Sequence, residues 1–214
     1  MALDLLDLSR AAGIASRIAG LEGGLVLEVG TPLVKSAGAA AISVVKSVAG
    51  GRPVVADTKT ADAGAVEVQL ASDAGADAVT VLAAAPDPTV EEVVREARRR
   101  GVAVIADLLG VRDPLSRAEE LASLGVDVVE VHVGVDAQRL LGVTAASMED
   151  VVRRVSERFP GPVAVAGGLN AETAPRMVRA GASIVVVGGA IVRAEDPVAA
   201  AREILRRIGE AAGR

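Results

Sequence analysis

The chain has 214 residues, enough for one folded domain and close to the lower limit of a (β/α)8 barrel. It contains no cysteine, which excludes disulfides and thiolate chemistry, and its net charge of -5 argues against a nucleic-acid partner. No apolar run reaches the ~20 residues of a membrane span and no signal peptide is evident, so we expect a cytoplasmic protein without a membrane partner.

Short runs rich in Val and Ile alternate with longer amphipathic stretches of helical period, which is typical of a series of βα units. Most of these runs carry no polar residue before their last position, as expected for parallel strands buried on both faces. Eight strands are predicted, the first of them very short: Ala2–Asp4, Leu25–Glu28, Val54–Asp57, Ala78–Leu82, Ala103–Asp107, Val128–His132, Val163–Ala166 and Ile184–Val187.

Helical periodicity is clearest in the segments between the later strands. The predicted helices include Val90–Arg100, Pro114–Leu124, Met148–Arg158, Ala171–Ala180 and Pro197–Ile208. A glycine follows a helix and precedes a strand at four places, where a left-handed helix cap is expected. These glycines are Gly75, Gly101, Gly125 and Gly181.

The similar βα units indicate a single domain, because no linker or change of composition divides the chain. An open doubly wound sheet is the alternative to a closed (β/α)8 barrel. The eight units, with no Gly-x-Gly-x-x-Gly after the first strand, favour the barrel.

Polar residues collect at or just beyond the carboxyl ends of the predicted strands. In a (β/α)8 barrel these ends share one rim, where catalytic residues from several strands meet. A surface role fits any one of these residues but fits the whole set poorly, since each ends an apolar run. The set comprises Asp4, Glu28, Asp57 with Lys59, Asp107 and His132.

The segment from Asp57 to Asp62 is the most informative. Along an extended strand, Asp57 and Lys59 project to the same side. Neighbouring carboxylates favour a charged lysine, so we interpret Lys59 as a fixed cation and not as a Schiff-base residue. Asp62 lies where the next helix should begin and could be its N-cap. Capping alone does not explain the Asp-x-Lys pair in front of it.

The string Asp57-x-Lys59-x-x-Asp62 matches the signature of the orotidine 5'-phosphate decarboxylase suprafamily. The wider string, Asp-Thr-Lys-Thr-Ala-Asp-Ala-Gly, resembles the 3-hexulose-6-phosphate synthases of that suprafamily. Further segments resemble the same enzymes in the same order along nearly the whole chain. These segments are residues 28–33, 132–138, 166–169 and 187–191.

The resemblance implies a (β/α)8 TIM barrel of the ribulose-phosphate-binding type. It implies a reversible aldol condensation of D-ribulose 5-phosphate with formaldehyde to D-arabino-hex-3-ulose 6-phosphate, through an enediolate. The implied cofactor is Mg²⁺, with Mn²⁺ as an alternative, bound by Glu28 and Asp57. The family also implies a homodimer with shared active sites, in which Asp62 enters from the other subunit.

The resemblance also assigns the remaining polar residues. His132 is the candidate general base, and Asp107 helps to move protons or makes a hydrogen bond on the helix side. Asp4 binds substrate hydroxyls, although its strand is shorter than in the family: either this strand is stunted or the natural chain begins upstream. Arg193 adds charge to the phosphate or lies in solvent. Backbone N–H groups in two glycine pairs bind the phosphate: Gly167, Gly168, Gly188 and Gly189.

Three alternatives stay open. A 3-keto-L-gulonate-6-phosphate decarboxylase would share the metal site and the intermediate, but that family needs Glu and Arg where this chain has Asp107 and Val135. Orotidylate decarboxylase fits less well, because residues 28–32 are foreign to it. A non-catalytic sugar-phosphate-binding barrel is the third possibility, and the complete set of polar rim residues argues against it. The physiological direction of the condensation stays open.

Overall fold

A computed structural model describes residues 1–213. Seven parallel strands form one sheet in which each strand pairs with the next along the chain. The strands are β1 (Leu27–Val29), β2 (Val54–Thr60), β3 (Ala78–Leu82), β4 (Ala103–Asp107), β5 (Val128–His132), β6 (Val163–Ala166) and β7 (Ile184–Val186).

The start of the chain closes this sheet into a barrel. Ala2 donates its backbone N–H to the carbonyl of Val187, just beyond β7, at 3.0 Å. Leu3 donates to the carbonyl of Glu28 in β1 at 2.9 Å. Because residues 1–3 bond to both edges of the sheet, the predicted (β/α)8 barrel is confirmed. The predicted strand Ala2–Asp4 is too short for a regular ladder and forms one isolated bridge, between Ala2 and Glu28.

Within residues 1–213, eleven α-helices connect the strands. Three of them begin at an aspartate whose carboxylate accepts backbone N–H groups of the first turn: Asp7, Asp113 and Asp196. The helices are α1 (Leu8–Ile18), α2 (Thr31–Ala37), α3 (Ala39–Val48), α4 (Gly64–Asp73), α5 (Asp87–Arg100), α6 (Pro114–Leu124), α7 (Val135–Leu141), α8 (Glu149–Arg158), α9 (Ala174–Arg179), α10 (Gly189–Val192) and α11 (Pro197–Ala211).

Most predicted boundaries lie within three residues of the observed ones. The helix predicted at Ala171–Ala180 begins later, at Ala174, because the Asn170 side chain accepts the N–H groups of Glu172 and Thr173 and holds a turn there. The four glycines predicted as left-handed caps all have positive φ, between +69° and +109°.

The largest departure in a strand lies in β2, which continues to Thr60 instead of ending at Asp57. Its pairing with β3 changes register between Ala56 and Thr60, and Lys59 has a φ of +46°. Such an irregularity is a bulge, which redirects the side chains that follow it. Lys59 therefore does not lie on the regular extended strand that the sequence analysis assumed.

The core is built from aliphatic side chains, as a sequence with no Trp or Tyr requires. The single phenylalanine, Phe159, is buried among them. None of the helices in the described part of the chain combines the length and the apolar character needed to cross a bilayer. The buried polar residues lie between the middle and the carboxyl end of strands β2 to β5: Asp57, Thr60, Thr80, Asp107 and Glu130.

Candidate active site

A cavity of about 850 Å³ lies at the carboxyl ends of the strands. This volume lies within the range of small-molecule sites. Nearly all of the residues predicted to form the site line this cavity. They are Asp4, Glu28, Asp57, Lys59, His132, Gly167, Gly168, Gly188, Gly189 and Arg193.

The Lys59 ammonium holds two carboxylates together. Its Nζ lies 2.9 Å from both carboxylate oxygens of Asp57 and 3.0 Å from Oδ2 of Asp107. Burial by itself would lower the pKa of Lys59, but the charges of Asp57 and Asp107 outweigh it and raise the pKa overall. Lys59 is therefore a fixed ammonium ion across the neutral pH range.

The Asp57 carboxylate is fixed from two further sides. Thr31, at the start of α2, donates its hydroxyl to Oδ2 at 2.7 Å. Thr80, in β3, donates its hydroxyl to Oδ1 at 2.8 Å. Asp57 itself is only 5% exposed. These hydroxyl groups and Lys59 together leave the carboxylate little freedom to rotate.

Asp107 lies beneath the cavity and joins Lys59 to His132. Its Oδ2 is 2.8 Å from Nδ1 of His132, and its Oδ1 accepts the backbone N–H of Leu109 at 2.8 Å. Burial would raise the pKa of Asp107, but hydrogen bonding and charge from His132 and Lys59 lower it overall. Asp107 therefore contacts Lys59 and His132 at the site and also the loop that follows β4.

The structure also shows an acidic residue that sequence reasoning missed. Glu130 lies inside β5, lines the cavity and is only 6% exposed. Burial and the charge of Asp107 raise its pKa well above the usual range. The available signal was a charged residue inside an otherwise apolar run, two positions before His132 and thus on the same face of the strand.

Two sets of oxygen and nitrogen donors could hold a metal ion. Asp107, Glu130 and His132 offer ligand atoms within 4.8 Å of one another. The predicted pair is Glu28 and Asp57, and among residues 1–213 no donor binds the carboxyl of Glu28. Burial and the charge of Asp57 raise the pKa of Glu28 to about 8. A hard divalent cation beside these carboxylates would favour their ionised forms.

The two glycine pairs form the side of the cavity beyond β6 and β7. Gly167 and Gly168 have φ values of +115° and +70°, which disfavour any other residue. A Cβ at Gly188 would lie 2.7 Å from Oδ2 of Asp4, so the chain start packs directly against this loop. The Arg193 guanidinium lies over Gly189 and lines the cavity, although the residue is exposed.

Asp62 does not line this cavity. It is exposed in a separate surface depression shared with Val66 and Glu92, and its carboxylate accepts the N–H of Ala63 at 2.8 Å. It is not the N-cap of α4 either, because that position belongs to Ala63, whose φ is +52°. A single chain therefore keeps Asp62 apart from Lys59.

The fold and the site define a (β/α)8 barrel with its polar groups at the carboxyl-terminal rim. The model of the Orotidine 5'-phosphate decarboxylase / HUMPS family matches residues 1–204, and the chain belongs to this family. The family resemblance seen in the sequence is confirmed.

Similar proteins include enzymes named after both candidate reactions. The chain is 39% identical to 3-hexulose-6-phosphate synthase of Mycobacterium gastri, over 95% of this chain and 96% of that protein. The crystal structure of 3-hexulose-6-phosphate synthase from Salmonella typhimurium is 34% identical, with a TM-score of 0.90 over 98% and 97% of the two chains. That of 3-keto-L-gulonate-6-phosphate decarboxylase from Vibrio cholerae is 26% identical, with a TM-score of 0.81 over 98% and 95%.

The raised pKa of Glu28 predicts how stability depends on pH in the metal-free protein. A Glu carboxyl with a reference pKa of 4.5 titrates at about 8 in the folded chain. Between these values the folded state keeps a proton that the unfolded state has lost. The contribution of Glu28 to the free energy of unfolding is therefore largest below about pH 4.5 and decreases as the pH rises to 8.

We expect the free energy of unfolding of the wild type to fall, relative to that of Glu28→Gln, by about 1 kcal/mol per pH unit between pH 5.5 and 7.5. Urea unfolding in EDTA measures both proteins. Glu91→Gln, at an exposed position of α5, is the control and should follow the wild type. Parallel pH profiles for the wild type and Glu28→Gln would contradict the prediction.

Proposed function

We propose that the protein catalyses the reversible aldol condensation of D-ribulose 5-phosphate with formaldehyde to D-arabino-hex-3-ulose 6-phosphate. The observation that carries this proposal is the Lys59 ammonium fixed between Asp57 and Asp107, with His132 bonded to Asp107 beside it. Relatives named 3-hexulose-6-phosphate synthase, which are 34–39% identical over nearly the whole chain, support it. The names of these relatives make the chain a lyase-type enzyme.

The chemistry requires a base and a stabilised negative charge. Asp107 binds Nδ1 of His132, which leaves Nε2 as the basic nitrogen that takes a proton from C1 of the ketose phosphate. The electron pair of the C–H bond becomes the enediolate, whose negative charge the fixed Lys59 ammonium stabilises. When C1 forms its bond to the formaldehyde carbon, the oxygen of formaldehyde receives the proton from His132 and becomes a hydroxyl group.

Glu28 and Asp57 would hold the divalent metal ion, Mg²⁺ or Mn²⁺. The donor set suits a hard cation, since it consists of carboxylate oxygens and the Glu28 carboxyl has its lone pairs free of donors in residues 1–213. When bound, such a cation acts as a Lewis acid toward negatively charged substrate oxygens. Asp107, Glu130 and His132 form the alternative donor set, and in each set Lys59 bonds to one carboxylate, Asp57 in the first and Asp107 in the second.

The glycine pairs would hold the phosphate and thereby fix the rest of the substrate. Backbone N–H groups of residues 167–168 and 188–189 bind the phosphate oxygens, and Arg193 adds positive charge. Asp4 lies against Gly188 and is placed to accept hydrogen bonds from substrate hydroxyls. The reacting carbon then lies toward Lys59 and His132.

A homodimer would complete the site. Asp62 is exposed on the same surface as Val66 and Leu70, two apolar residues of α4 that are more than half exposed. Covering these side chains in a dimer provides a hydrophobic contribution and brings Asp62 toward the partner's cavity. In this arrangement Asp62 orients Lys59 and binds a substrate hydroxyl.

The competing decarboxylase reaction is less compatible with Asp107. Its short side chain already reaches Lys59 at 3.0 Å and His132 at 2.8 Å, so a Glu at this position would add a methylene group to a fitted arrangement. Val135 is 69% exposed at the cavity and offers no positive charge. Both residues favour condensation over decarboxylation.

The proposed function predicts a clear preference in an assay of the purified enzyme. With Mg²⁺, it should condense D-ribulose 5-phosphate with formaldehyde much faster than it decarboxylates 3-keto-L-gulonate 6-phosphate. EDTA should abolish the condensation and added Mg²⁺ or Mn²⁺ should restore it. Faster decarboxylation would overturn the assignment, and full activity after exhaustive chelation would remove the metal from it.

The shared site predicts complementation between two inactive variants. If Lys59 acts in its own barrel and Asp62 acts in the partner's, homodimers of Lys59→Ala and of Asp62→Ala both lack a group at every site. In a mixed dimer one site carries both lesions and the other carries neither. Refolding the two variants together makes about half of the dimers mixed, which restores about a quarter of the wild-type activity.

The control for this experiment is each variant refolded alone, with subunit exchange verified by two different affinity tags. Mixed dimers that form without recovering activity would place Asp62 in its own barrel. They would also remove the argument for a shared site.

A further inference from the structure

The backbone of Lys59 adopts a conformation that needs outside support. Its φ of +46° is one of two positive values at non-glycine residues within residues 1–213. The β2–β3 ladder changes register between Ala56 and Thr60, so residues 57–59 lie outside the regular pairing. A bulged, left-handed residue of this kind persists only where neighbouring groups hold it.

One residue of β3, Thr80, supplies those groups. Its Oγ1 accepts the backbone N–H of Lys59 at 2.9 Å and donates to Oδ1 of Asp57 at 2.8 Å. Its backbone carbonyl accepts the hydroxyl of Thr58 at 2.9 Å. Three consecutive residues of β2 are therefore bonded to a single residue of the neighbouring strand.

The hydroxyl of Thr80 has the required polarity for this arrangement. It has one proton, which goes to the Asp57 carboxylate, and lone pairs, one of which receives the Lys59 N–H. Thr80 is 2% exposed and is the polar exception in a strand whose other members are Ala, Val and Leu. A valine of the same shape would fill the space and provide neither bond.

We propose that Thr80 is a positioning residue for the condensation. It fixes the left-handed backbone of Lys59 and the orientation of the Asp57 carboxylate, so that the ammonium lies between Asp57 and Asp107. Thr80 does not line the cavity and acts only through these two residues. The effect of Thr80 on the condensation rests on the proposed function, whereas its effect on the positions of Lys59 and Asp57 does not.

The test compares Thr80→Val with Thr80→Ser, which keeps the hydroxyl. Thr60→Val is the matched control: Thr60 is equally buried, and among residues 1–213 its hydroxyl makes a hydrogen bond only with that of Thr58, at 3.0 Å. We expect Thr80→Val to lower kcat about 100-fold, the scale of a misplacement of about 1 Å. KM for D-ribulose 5-phosphate should change less than about threefold, because the phosphate is bound elsewhere.

Thr80→Ser should recover most of the lost kcat, and Thr60→Val should stay within about threefold of the wild type. Equal kcat values for Thr80→Val and Thr60→Val would overturn the proposal. So would a serine variant as impaired as the valine variant, since the hydroxyl would then be irrelevant. If Thr80→Val does not fold, Thr80→Ala takes its place with the same expectations.

Crystal structures of the wild type and Thr80→Val provide a readout that does not depend on activity. We expect Lys59 in the variant to leave its left-handed conformation or its ammonium to lose contact with Asp107. An unchanged Lys59 would overturn the proposal even if the activity falls. If the wild type does not perform the condensation, the proposed function fails, and these structures alone decide the role of Thr80.

Discussion

The site depends on the ion pairs that the Lys59 ammonium makes with Asp57 and Asp107. Six carboxyl groups lie in or beneath one cavity, which would be an unfavourable concentration of negative charge without a cation among them. Lys59 bonds to two of them, Asp57 and Asp107, and holds them in place. Glu28 and Glu130, which it does not contact, have raised pKa values. Burial is the largest cause of both raised pKa values, whereas at Asp107 hydrogen bonding and charge from His132 and Lys59 outweigh burial and lower the pKa.

That position is a consequence of both the barrel and a local defect in it. Parallel strands bring Asp57, Asp107 and His132 to one rim from three different parts of the chain. The β2–β3 ladder changes register after Ala56, and within this bulge Lys59 has a positive φ and contacts both Asp57 and Asp107. The three residues that bond to both sheet edges at the chain start complete the ring and place Asp4 beside the glycine loop of residues 188–189.

The general arrangement of the site could be predicted from the sequence for two reasons. The strand pattern can be recognised in short segments, and in a (β/α)8 barrel the carboxyl ends of all strands meet at one rim. Val128–His132 was found at its observed limits, and its final histidine was recognised as a rim residue. Glu130, in the same strand, is not predicted because it lies inside the apolar run and not at its end, and buried acids are rare at such positions. The resemblance to a family indicates Glu28 and Asp57 as a pair of metal ligands, which their spacing in the sequence alone does not indicate.

Other features depend on contacts that a sequence does not display. The positive φ of Lys59 and the role of Thr80 depend on hydrogen bonds between neighbouring strands, so no local pattern indicates them. Asp62 was placed correctly beyond a strand, but its N-cap role was wrong because the left-handed Ala63 shifts the helix start. Short helices such as α10, with four residues, are below the length at which periodicity can be detected.

The central claim is that the fixed Lys59 ammonium stabilises the negative charge formed when C1 of the substrate loses a proton. Exchange of a C1 hydrogen of D-ribulose 5-phosphate in D2O, followed by ¹H NMR with Mg²⁺ and without formaldehyde, measures that step alone. The account predicts exchange by the wild type and a rate about 10²- to 10³-fold lower for Lys59→Met. Exchange by Lys59→Met at the wild-type rate would contradict the account.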